Sequence, residues 1–119
     1  MIDRELHQQI EAELANAEAA RQDGLEGRAR VCARRAAGMA VRAYARQQGL
    51  NLSGPSVYDL LTSLVDVSGI PEDARQAAIR LTERVDIHFS LPDDVDLISE
   101  ARRLIAALYV DNLPGDHPR

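Results

Sequence analysis

Lysine is absent from these 119 residues, so every one of the fourteen basic side chains is an arginine. Tryptophan is also absent, phenylalanine occurs once, and aromatics make up 3% of the chain. A core must therefore be built from Ala, Leu, Ile and Val, which favours helix on helix over a sandwich of strands. The one cysteine, Cys32, excludes an internal disulfide and fits a reducing, cytoplasmic setting. No Cys or His residues pair at ligand spacing, so no metal site is expected. No glycine-rich loop follows a strand pattern and no Ser/His/Asp set is visible, so no cofactor is expected either. No apolar run is long enough to span a bilayer and no leader segment is expected, so a membrane partner is not anticipated. Excess base is lacking too: the net charge is −5. That argues against a free-standing duplex-DNA binder, though it leaves room for a local arginine patch.

What is present is helical periodicity. From about Gly27 to Gln48, Ala29, Ala33, Ala36, Ala40, Ala43 and Tyr44 share one face at 100° per residue. Arg28, Arg35, Arg42 and Arg46 share another, about a quarter-turn away, with Cys32 and Met39 between the two. An alanine face stabilises only if neighbouring helices come close, so this helix is expected at the centre of a bundle. Its arginine row is then left at the edge, where it can meet a phosphate, an acidic partner or the glutamates of the first helix. Arginine suits such partners because its planar fork binds two oxygens at once. Gly38 inside the helix marks a close approach of another helix.

The other elements follow in order. Asp3 to Gln22 reads as a first helix, with Leu6, Ile10, Leu14 and Ala17 inward and Glu11, Glu13 and Glu18 facing elsewhere. Leu50 to Pro55 is a loop. A third helix runs from about Pro55 to Val67 on Val57, Leu60, Leu61 and Leu64. A fourth starts at Pro71, buries Ile70, Ala74, Ala77, Leu81 and Val85, and ends by Ser90, because Pro92 disfavours helix before it. Asp93 is the expected N-cap of a fifth helix, whose stripe is Leu97, Ile98, Ala101, Leu104, Ile105 and Leu108. Asp93, Asp94 and Asp96 look like a cation cluster, but capping accounts for them. The expected fold is an all-α, up-and-down bundle of about five helices with the short third helix across one end. Residues 1–111 form one domain and 112–119 a mobile tail. Small-residue faces and the end of the fourth helix suggest apolar surface that a two-fold dimer would cover.

Three stretches together resemble the HEPN domain family (higher eukaryotes and prokaryotes nucleotide-binding). CARRAAGMAVRAYARQQG is similar to the family's long second helix, SGPSVYDLLTSL to its loop and short helix, and AIRLTERVDIHFSLPDD to its fourth helix and following turn. The likeness covers about Ala15 to Leu108. It implies a helical homodimer that accompanies a small nucleotidyltransferase, often as a toxin–antitoxin pair. Some members are metal-independent endoribonucleases with an Arg-x(4–6)-His motif. Here Arg84 and His88 are separated by three residues, and the acidic residue often found in the central helix falls at Gly38. On one helix Arg84 and His88 would share a face, where His could move a proton and Arg could stabilise phosphate charge. His88 falls in the middle of the fourth-helix stripe, however, which points to a buried, structural histidine. The departure in motif spacing favours a non-catalytic interaction or nucleotide-binding module, and the helix pattern offers Arg28, Arg35, Arg42 and Arg46 as its candidate binding residues. The alternative is an endoribonuclease working through Arg84 and His88.

Overall fold

Asp3 decides where the first helix begins: its carboxylate accepts from the Leu6 N–H at 2.7 Å, satisfying one of the donors a helix start leaves open. The computed structural model describes residues 3–52, 54, 56–83 and 96–109. Over these residues the chain is a bundle of five helices without a strand: α1 (Arg4–Gln22), α2 (Glu26–Gln48), α3 (Val57–Val65), α4 (Glu72–Leu81) and α5 (Leu97–Leu108). None of them is long and apolar enough to cross a membrane.

Helices α1 and α2 form an antiparallel hairpin. Arg21 pairs with Glu26 at the closed end, Glu13 with Arg35 midway, and Leu6 lies across from Ala43 at the open end. Helix α5 runs antiparallel to α1, with Asp96 on Arg21 and Arg102 facing Glu18 and Glu11. Helix α4 runs antiparallel to α5, since Asp73 in its first turn meets Arg103 late in α5. Helix α3 lies against α2 and α4. The Arg75 guanidinium of α4 closes its exit by donating to the carbonyls of Val65 and Val67.

The alanine-rich helix is the centre of this arrangement: α1, α3 and α5 all pack on it. Ala29, Ala33, Ala36, Ala37, Ala40 and Val41 are fully buried along it. Gly38 is the close approach expected of it, because a Cβ there would stand 2.9 Å from Val57 Cγ2. Gly49 closes the helix in the left-handed region at φ 70°, which glycine adopts without penalty. The α5 stripe is buried at all six of its positions.

Four boundaries and one face differ from the sequence reading. Helix α3 starts two residues after Pro55, because the Ser56 hydroxyl caps it through the Asp59 N–H, and it ends at Val65. Helix α4 stops at Leu81 instead of near Ser90. Thr82 leaves helical geometry at φ −106° and ψ 7°, and its hydroxyl turns back onto the Ala78 carbonyl. Asp96, not Asp93, caps α5, accepting from the N–H groups of Ile98 and Ser99. Glu13 does not face water: it is 8% exposed, held by Arg35 and by the Asn16 amide. The expectations for Val85, Asp93, Asp94 and the 112–119 tail fall outside the described residues.

Candidate functional site

With α2 covered on three sides, the surface left to it is a strip, and arginine occupies that strip. Arg28, Arg35, Arg42 and Arg46 are all exposed. Val31 stands among them at 49% exposure. The first three repeat every seven residues, so the helix spaces them about 10 Å apart, and the row from Arg28 to Arg46 spans about 27 Å.

Only Arg35 spends its charge inside the molecule, on Glu13 Oε2 at 2.7 Å. Arg28, Arg42 and Arg46 form no ion pair with any described residue. The other arginines of the bundle behave differently. Arg21 donates to both Glu26 and Asp96, Arg75 ties the α3–α4 connection, and Arg103 spans Glu100 and Asp73. The Arg21 cluster is tight enough to move titrations. Glu26 is held below its usual range by the Arg21 hydrogen bond. Burial pushes the Asp96 carboxyl up, but Arg21 and the Ser99 N–H and hydroxyl outweigh it and hold the group down.

Two open grooves flank the row where α1 and α2 separate. One, of about 370 Å³, has Ala19, Ala20 and Cys32 along its floor and Arg28 and Arg35 at its rim. The other, of about 450 Å³, lies at the open end of the hairpin, where Arg46 faces Asp3 and Glu5. The Arg35–Glu13 bridge separates them. Neither groove holds a convergent set of proton-transfer groups, and among the described residues no three His, Cys, Asp or Glu side chains come together. The row presents exposed guanidinium groups, whose planar fork of donors matches carboxylate and phosphate oxygens.

Arg84 and His88 lie outside the described residues. Helix α4 itself ends at Leu81, before either residue.

Three further residues organise the far side of α2, and the sequence pattern does not single them out. The Arg34 Nε–H donates to the Leu81 carbonyl at 2.8 Å, and the Tyr58 hydroxyl donates to the carbonyl of Thr82. Together they close the C-terminal end of α4, whose open carbonyls favour cations and donors. At the other side of the core, the Tyr109 hydroxyl donates to the Ala40 carbonyl at 2.7 Å, and its ring meets Tyr44 edge-on. Burial raises the Tyr109 phenol to about 12. Arg34 reads in sequence as one more arginine beside Arg35; only the position of the α4 end sets it apart.

In comparisons with protein-family models, curated proteins and solved structures, nothing matches this chain.

Proposed function

We propose that this chain is a HEPN-like helical module that works by binding and not by catalysis. In this reading it acts as a homodimer, paired with a nucleotidyltransferase in a toxin–antitoxin-type system. The row Arg28, Arg35, Arg42 and Arg46 contacts the acidic surface of that partner, or a nucleotide it carries. One observation carries the reading: three of the four arginines on the exposed strip of α2 form no ion pair with a described residue, while the other sides of the helix are packed. Charge of one sign on an exposed strip speeds and orients association with a partner of the opposite sign.

The test is association with the nucleotidyltransferase of an adjoining reading frame. Co-purification is expected. Charge reversal of Arg28 and Arg42 to Glu should weaken the complex by at least about tenfold, most of all at low salt. A complex indifferent to both reversals would remove the row from the interface. Incubation of the purified chain with RNA should give no cleavage above background. Cleavage abolished by His88→Ala would replace this reading with a metal-independent endoribonuclease using Arg84 and His88.

A further inference from the structure

The junction of α2, α3 and the end of α4 holds a cation, Arg34, that forms no ion pair with any described residue. Arg34 is partly buried there, and its one hydrogen bond is from Nε to the Leu81 carbonyl. The two Nη groups, the edge of the guanidinium that grips an oxyanion, make no hydrogen bond or ion pair to any described residue. Removing a guanidinium from water is costly unless a counter-charge comes with it. Burial destabilises its charged form; Tyr58 offsets part of this, and Arg30 adds to it by repulsion.

Arg30 lies one helical turn before Arg34, on the same face of α2. Its side chain is 26% exposed, and its one carboxylate contact, with Glu26, is long at 3.9 Å. Glu26 already gives both of its oxygens to Arg21 at 3.1 Å and 2.8 Å. Two guanidinium groups therefore stand a turn apart, and the one described acid near them, Glu26, lies a turn before Arg30 and is committed to Arg21. The Leu81 and Thr82 carbonyls supply only partial negative charge, and they fix the site's position without neutralising it. Two other partly buried arginines are met more fully: Arg21 by two carboxylates, and Arg75 by two carbonyls and Glu72.

We propose that Arg34 and Arg30 form a binding site for a phosphate-type oxyanion at the junction of α2, α3 and the α4 end. The anion bridges the free Nη edge of Arg34 and the guanidinium of Arg30, and bidentate arginine–phosphate geometry supplies the selectivity. The site is separate from the exposed arginine row. The ligand is inorganic phosphate or the phosphate of a nucleotide, which present the same oxygens.

Thermal unfolding of the full chain, with inorganic phosphate or adenosine monophosphate titrated against chloride at fixed ionic strength, tests it. A ligand that binds only the folded state raises the midpoint in a concentration-dependent way. Phosphate should do so where chloride does not. The apparent affinity should fall by at least about tenfold in Arg34→Gln, the loss of a charge-assisted pair. Arg30→Gln, which leaves the Leu81 contact intact, should fall similarly and serves if Arg34→Gln does not fold. Arg42→Gln on the exposed row should bind as the parent does. Equal affinity for the two ligands assigns the site to free phosphate, and tighter monophosphate binding assigns it to a nucleotide. No phosphate response beyond chloride, binding unchanged in Arg30→Gln, or equal loss in Arg42→Gln overturns the site.

Discussion

The seam in the closed half of the α1–α2 hairpin and the α5 stripe are both buried, yet they are built from opposite materials. The hairpin joins small residues, Ala17 and Ala20 on one helix and Ala29, Ala33 and Ala36 on the other. Helix α5 brings Leu97, Ile98, Leu104, Ile105 and Leu108. Alanine carries little area to remove from water, so the hairpin gains through closeness of backbones and many short contacts. Leucine gains through area, at about 25 cal/mol per Å² of apolar surface. The first kind of interface cannot be enlarged, and the second cannot be trimmed.

The largest test of that contrast is truncation in the stripe. Leu104 is fully buried, so Leu104→Ala should lower stability by about 2–5 kcal/mol in urea denaturation. A loss below about 0.5 kcal/mol would mean that the stripe does not carry the load assigned to it. Enlargement in the hairpin comes next. Ala33→Leu should lower stability by about 1–3 kcal/mol, because nothing around this fully buried methyl can yield. If that variant were neutral, the hairpin would be looser than its burial implies.

Smaller effects sit where the two regions meet. Asp96→Ala removes both the α5 cap and a partner of Arg21, and should cost about 1 kcal/mol. The same contact predicts an acid dependence with a definite sign. Glu26 and Asp96 are held below their usual values in the folded chain. Their contribution is therefore present above about pH 4, where the unfolded carboxylates are ionised, and is lost as the pH falls through the lowered values. Arg21→Gln should flatten that acid limb of the urea midpoint, and an unchanged limb would place the pH dependence elsewhere. Smallest of all, Arg42→Ala should leave stability within about 0.5 kcal/mol of the parent, since it is exposed and forms no ion pair with a described residue.

The same two regions show how far the sequence could be read. Period alone identified the α5 stripe and the alanine face, because a buried helix face must repeat every three to four residues. It also isolated the arginine row, which is exposed as expected. It could not place Glu13, since a carboxylate in a helix looks solvated until the facing arginine is known. It ran α4 too far, because Val85 and His88 continue the apolar spacing past Thr82, where the backbone turns away. Arg34 was hidden for the same reason as Glu13: its environment comes from Leu81, far along the chain, and leaves no mark on neighbouring residues. What periodicity encodes is burial of a face, and what it omits is which polar group the facing element supplies.

Cys32, on the floor of the groove between α1 and α2, gives the hairpin a clock. Its thiol is 5% exposed and is the chain's single sulfhydryl. An alkylating reagent reaches it through that groove, and any parting of the two helices widens the access, so the rate of its labelling follows how open the hairpin is. A partner seated across Arg28 and Arg35 would cover the groove's rim and slow that labelling, whereas an anion at Arg34, on another face of α2, would leave the groove open. One unmodified side chain can therefore time the opening of the hairpin and tell the two binding events apart.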